Sequence, residues 1–220
     1  MHDYSVIFDM DGVIFDSEKC CLHCWTEIAK RYNLPNIKDV FYKCIGTNKV
    51  QSEMIVEEAY SEQYGAGIAK KLMGESSLLF HELYDNGNLD LKPGVVDILE
   101  YLKQNGIKMA VASSTRKAVV ETELSDAGLL GYFDKIIGGD AVRISKPNPE
   151  IYLLACRTLE VEPENTFAIE DSFNGIRAAH AAGMRPIMVP DMIPPDEEMK
   201  QISEVICKDL YEVISFLDNV

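Results

Sequence analysis

The apolar run Ser5-Val6-Ile7-Phe8 passes directly into Asp9-Met10-Asp11-Gly12-Val13, and this junction constrains the fold more than any other stretch of the chain. The run reads as a buried β-strand, and Gly12 lets the backbone turn where the strand stops. In a parallel strand of an open α/β sheet, residues at the carboxyl end enter the crevice where such folds bind ligands. Alternation along extended backbone turns Asp9 and Asp11 the same way and Met10 elsewhere. Two carboxylates this close repel each other, and need a cation, a shared proton or a phosphoryl-transfer role to be tolerated.

The rest of the chain supplies the sheet. From about residue 106 onward, apolar strands alternate with helical patterns. Strand Lys108–Ala112 is followed by helix Lys117–Ala127, strand Lys135–Ile137 and helix Pro149–Leu159. Strand Thr166–Ile169, helix Asn174–Ala182 and strand Arg185–Val189 complete the series. That alternation predicts a parallel sheet with helices on both faces. A helix Val95–Gln104 precedes it, and Val205 to Leu217 supplies a last strand-like contact and a closing helix. Pro190-Asp191 and Pro194-Pro195-Asp196-Glu197-Glu198 read as a surface loop. From about residue 17 to 87 the pattern is all-helical, and the chain returns to the α/β pattern near Leu91. Ser17 is a plausible cap for a helix over Glu18 to Tyr32. Helices near Ile37–Cys44, Lys49–Tyr64 and Ala66–Asn86 follow, punctuated by Gly46, Gly65 and Gly87. The expected division is a core of residues 1–16 and 88–220 with an inserted helical lid of residues 17–87.

Composition narrows the function. At 220 residues, with 47% hydrophobic and 26% charged residues, the chain can bury a sizeable core. Its formal charge of -15 argues against nucleic acid and anionic membrane surfaces as partners. No stretch is long enough for a membrane span, and Met1-His2-Asp3-Tyr4 lacks a basic signal-peptide start, so cytoplasmic residence is the expectation. The six cysteines suggest no disulfide framework. Cys20, Cys21, His23 and Cys24 cluster without a distant second pair, which favours a structural role over metal binding. Trp25, with Leu22 and Ile28, reads as packing between helices, and His81 and His180 have no assigned role. Nothing requires more than a monomer or implies a protein partner.

The later strand ends repeat the logic of the first. Met109–Ala112 runs into Ser113-Ser114-Thr115-Arg116, whose hydroxyls and N–H groups suit phosphate oxygens and equally suit simple helix capping. Lys146-Pro147 sits in a loop, where a single lysine is ordinarily solvated. Thr166–Ile169 delivers Glu170-Asp171-Ser172, and Asp171 also suits a helix cap. Taken together these pieces fit one arrangement. Asp9, Asp11 and Asp171 offer hard oxygen ligands suited to Mg2+. Lys146 and the Ser113-Ser114 region would hold phosphate oxygens, and a lysine near Asp9 would keep that carboxylate ionised and nucleophilic.

Asp9-Met-Asp11-Gly-Val, Ser113 after its strand, Lys146-Pro147 and Glu170-Asp171-Ser-Phe-Asn-Gly175 resemble the haloacid dehalogenase-like superfamily, in its branch of β-phosphoglucomutase-like enzymes and small phosphatases. The segment Ile176–Met184 also resembles that branch. The resemblance implies a Rossmann-like α/β core with an inserted α-helical bundle cap, acting with Mg2+ on a small phosphorylated metabolite. By the same resemblance Asp9 is the nucleophile and metal ligand. Asp11 is the acid/base, with its carbonyl on the metal; Asp171 and, directly or through water, Glu170 are further ligands. Ser113, Ser114 and Lys146 grip the transferred group. Lys49, in the Gly46-Thr47-Asn48-Lys49 turn, and Arg116 are candidate substrate contacts. The mutases carry a histidine four residues beyond a threonine at the cap entrance. Ser17 and Cys21 stand there in this chain, so a phosphatase is expected over a sugar phosphomutase. Asp11, Glu170 and Asp171 argue against dehalogenation, and the intact core positions argue against a non-catalytic binding protein.

Overall fold

The computed structural model describes residues 4–47, 49–85 and 87–220. Asn86 as a helix end, Asn48 in its turn and the Met1-His2-Asp3 start lie outside them. Among the described residues six strands form one parallel sheet: β1 (Ser5–Phe8), β2 (Met109–Ala112), β3 (Lys135–Ile137), β4 (Thr166–Glu170), β5 (Arg185–Met188) and β6 (Val205–Ile206). Their order is β3-β2-β1-β4-β5-β6. β1 is central, pairing Val6 with Met109 on one side and with Phe167 on the other. The chain leaves β1 in both directions across the sheet, so the carboxyl end of β1 is the topological switch point, where ligands bind in such sheets.

Alternation assigns the two faces. Val6 and Phe8 lie on one face in a cluster with Ile98, Leu102, Val120 and Val213, the helices there being α5 (Val95–Gln104), α6 (Lys117–Asp126) and α10 (Leu210–Leu217). Ile7 packs on the opposite face with Ala110, Ala112 and Ala168. Their small side chains let α7 (Glu150–Leu159) and α8 (Phe173–Ala181) approach closely. The cap comprises α1 (Ser17–Tyr32), α2 (Ile37–Cys44), α3 (Lys49–Tyr64) and α4 (Ile68–Tyr84), with its own apolar core around Trp25, Ile28, Phe41, Val56 and Leu72. Trp25 meets Phe41 edge-on at 5.1 Å, the packing role expected of it.

The two cap linkers run side by side. Phe15 bridges Leu91 antiparallel, Asp16 N donates to Asp90 O at 2.9 Å, and Lys92 N donates to Ile14 O at 2.9 Å. Lys92 Nζ then reaches Asp191 Oδ1 at 2.6 Å, fixing the ribbon to the loop after β5.

Three local expectations are corrected. Ser17 does not cap α1; it is the first helical residue, and its hydroxyl turns to Asp11 instead. Asp171 caps nothing, because Ser172 takes that place and accepts from Gly175 N. The segment read as a surface loop ends in a helix, since Glu197 and Glu198 begin α9 (Glu197–Ile202), capped by Asp196, and the Asp191 side chain, 3% exposed, pairs with Lys92.

Candidate active site

The carboxyl ends of β1, β2 and β4 bring Asp9, Asp11, Ser113, Glu170 and Asp171 together, and the loop before α7 adds Lys146. Asp9 is 7% exposed, Lys146 4% and Glu170 0%. Lys146 Nζ donates to Asp9 Oδ1 (2.8 Å), Glu170 Oε1 (2.6 Å) and Ala112 O (3.0 Å), so all three ammonium protons are used. Glu170 Oε1 also accepts from the Tyr152 hydroxyl at 2.6 Å, and Oε2 from Ser172 Oγ at 3.1 Å. Glu170 therefore holds Lys146 in place from below.

Asp11 is oriented by three hydroxyls. Ser17 donates to Oδ1 at 2.8 Å; Thr115 and Ser113 donate to Oδ2 at 3.0 and 3.4 Å. Ser113 Oγ also accepts from Thr115 N at 3.0 Å, shaping the turn after β2. Gly12 packs the loop against Asp171. Its φ is +76°, and a Cβ there would lie 2.4 Å from Asp171 Oδ2. Gly175 likewise leaves room for the Glu170 carboxylate, 1.9 Å from where a Cβ would stand. Gly12→Ala is expected to cost about 1–2 kcal/mol from backbone strain alone and to displace Asp171, as urea unfolding would show.

Burial pushes Asp9 up to about 8; Glu170 adds to the rise, Lys146 opposes it and Asp11 adds a little more. Lys146 acts in the direction expected and favours the ionised carboxylate, but with no cation bound this one ammonium, shared with Glu170, does not outweigh desolvation. Burial also raises Asp171 well above the usual carboxylate range, with Glu170, Asp9, Glu18 and Asp191 contributing. Burial alone would lower Lys146, but Asp9 and Glu170 hold it up as a cation. One oxygen each of Asp9, Glu170 and Asp171 lies within 4.8 Å of the others. An all-oxygen set of mutually repelling carboxylates fits a hard divalent cation such as Mg2+.

The site opens into a cavity of about 660 Å3 under the cap. Lys49, Ser114 and Arg116 line it as expected, and so do Glu18 and Arg143, which the sequence reading did not single out. Burial, with Asp11 next, pushes Glu18 up to about 8. Cys21 lines the cavity too, at the place where the mutases were expected to have their histidine. The cap touches the core here: Asn174 Nδ2 donates to Gly46 O at 2.6 Å. All six cysteines are free, and among the described residues the Cys20, Cys21, His23 and Cys24 cluster forms no metal-binding group. His180 is exposed at the end of α8, and His81 pairs with Asp85 at 3.0 Å.

Residues 6–189 match a family described as haloacid dehalogenase-like hydrolase. The phosphorylated carbohydrates phosphatase of Thermotoga maritima is 35% identical over 184 residues, covering 83% of each chain. The β-phosphoglucomutase of Bacillus subtilis is 29% identical over 214 residues, 94% of each chain. Among solved structures, CbbY from Rhodobacter sphaeroides in complex with phosphate superposes with a TM-score of 0.75 at 27% identity, over 96% of each chain.

Proposed function

The chain belongs to the haloacid dehalogenase-like hydrolases, and from that premise we propose that it is a Mg2+-dependent phosphomonoester hydrolase of a small phosphorylated metabolite, a sugar or polyol phosphate foremost. One observation carries the reading: a nucleophile-type carboxylate, Asp9, is buried against Lys146 and faces a polar cavity that also holds a hydroxyl-oriented acid, Asp11. The division into a core of residues 1–16 and 88–220 and a cap of residues 17–87 is part of the proposal, the cap selecting the substrate and excluding water.

Lys146 engages Asp9 Oδ1, which leaves Oδ2 to attack phosphorus in line. The P–O bond to the alcohol breaks, and Asp11 gives its proton to the departing oxygen. Asp11 then takes a proton from water as that water attacks the aspartyl-phosphate, returning Asp9 and releasing phosphate. Ser17, Thr115 and Ser113 fix the direction in which Asp11 presents its carboxyl. Ser114 and Arg116, at the turn after β2, and Lys49 from the cap receive the substrate's remaining oxygens. Asp9, the Asp11 carbonyl and Asp171 would hold the ion, with Glu170 behind them because both its oxygens already accept hydrogen bonds from the protein. When bound, Mg2+ offsets the negative charge of the carboxylates and of the phosphoryl oxygens.

The phosphatase reading is favoured over the mutase by Cys21, whose thiol, held neutral by burial, cannot replace an imidazole paired with Asp11. A Mg2+-dependent screen of phosphate release from sugar, polyol, glycolate and nucleoside monophosphates tests this. Glucose 1-phosphate with a trace of glucose 1,6-bisphosphate is followed by NMR beside it. Release of phosphate from one class is the expected result. Conversion to glucose 6-phosphate without release would make the chain a mutase, and binding without turnover would make it a phosphometabolite-binding protein.

Mg2+ is also expected to raise the melting temperature, by about 5 °C or more at saturation. The effect should grow with pH. Asp9 titrates near 8 in the fold against its ordinary 3.8. Its contribution to metal-free stability is therefore fully present below about pH 4 and is lost as pH rises to 8. A cation must displace that proton at pH 6 and has less to displace at pH 8.5. Melting curves with Mg2+ and with EDTA at the two pH values check the sign.

A further inference from the structure

A second cavity of about 250 Å3 lies between α1 and α4 of the cap and α6 of the core, and Asp11, Cys21 and Thr115 line both it and the catalytic cavity. Its wall is mostly carbon and sulphur, from Cys24, Trp25, Met73, Phe80 and Val119. The hydroxyls of Ser76, Ser77 and Thr115 and the His81 ring interrupt that wall. Ser76 is 2% exposed, and its Oγ has no hydrogen-bond partner among the described residues. A helical serine commonly bonds the carbonyl four residues back, and a buried hydroxyl left without any partner points to one supplied from outside the chain. Glu123 also lines the cavity. Burial, with Asp11, Asp85 and Asp126 adding, pushes its carboxyl up to about 8, so it brings little charge at neutral pH.

We infer that this cavity is a second arm of the substrate site, taking a short, uncharged, largely hydrocarbon part of the leaving alcohol while Ser76 Oγ hydrogen-bonds to an oxygen carried on it. The inference rests on the hydrolase reading above. The arm starts at Asp11, where the departing oxygen is protonated, so the alcohol's carbon chain can enter it directly. The volume holds about eight water-sized groups at roughly 30 Å3 each. Cys21, which lines both cavities, has a small side chain, and the flexible Met73 can adapt to what enters.

The test is kcat/KM for n-alkyl phosphates from ethyl to hexyl and for their ω-hydroxyalkyl counterparts, with glycerol 1-phosphate as the reference ester. In the native protein kcat/KM is expected to rise about fourfold per methylene until the arm is full. Val119→Phe, which fills the arm from the half-buried core side, should flatten that gradient. Ser76→Ala should keep the gradient and remove the preference for the hydroxyalkyl ester at its best chain length. Ser76→Leu fills the arm from the cap side and repeats the first test should Val119→Phe fold poorly. A flat gradient in a native protein that still hydrolyses glycerol 1-phosphate would overturn the arm alone. So would a gradient that survives both filling variants. Release from the sugar, glycolate or nucleoside monophosphates of the screen above but from none of these esters would also overturn the arm alone, and no release from any of them, with Mg2+ present, would overturn the hydrolase reading and the arm with it.

Discussion

Asp9→Asn is expected to lower phosphate release by about 10⁴-fold or more while the protein stays folded. Asparagine has nearly the same shape and can still accept a hydrogen bond from Lys146 at the oxygen that now receives it at 2.8 Å. What it lacks is the nucleophilic oxygen. The fold loses little, because burial already disfavours the charged form of Asp9 in the metal-free protein. Single-turnover phosphate release with Mg2+, together with a thermal melt by circular dichroism, separates the two effects. A folded variant retaining a tenth of native turnover would remove Asp9 from the mechanism.

Lys146→Met is expected to damage both stability and turnover. The ammonium is the shared partner of Asp9 and Glu170, at 2.8 and 2.6 Å, and its side chain is 5% exposed. Without it the two acids face each other with no cation from the protein, and removing one member of a buried ion pair costs about 3–5 kcal/mol. Part of that loss should be recovered by Glu170→Gln in the same chain, since the second change removes the stranded charge. Urea unfolding of the single and double variants measures this. Turnover should remain low in both, because neither restores the positive charge beside Asp9. A single variant as stable as the native protein would mean that the trio stabilises nothing.

The parallel sheet and helical cap were legible because their signals are local. Glycine and proline punctuate the helices, and α2, α3 and α5 occupy the expected spans, Ile37–Cys44, Lys49–Tyr64 and Val95–Gln104. Helix α9 was missed because six residues carry little periodicity, and the capping role of Asp196 was hidden behind two prolines. The acids of the site could be read because each follows an apolar strand. Tyr152 could not: in sequence it is one more apolar position of α7, and only the packing of that helix brings its hydroxyl to Glu170. Ser17 and Thr115 likewise look like helix-start residues until the cap and the core place both on Asp11. The raised Asp9 is a balance between burial and a shared lysine, and spacing along a chain carries no measure of burial.

The register of β1 also sets an order of assembly. The strand that delivers Asp9 leaves the ribosome before the other strands of the sheet, yet its partners are Met109 on one side and Phe167 on the other. The cap helices, whose core is drawn almost wholly from neighbouring sequence, have what they need to pack long before either partner strand exists. Pairings between distant segments close large loops and form late. A chain cut short before Asp171 therefore holds every helix of the lid but lacks part of the acidic cluster beneath it.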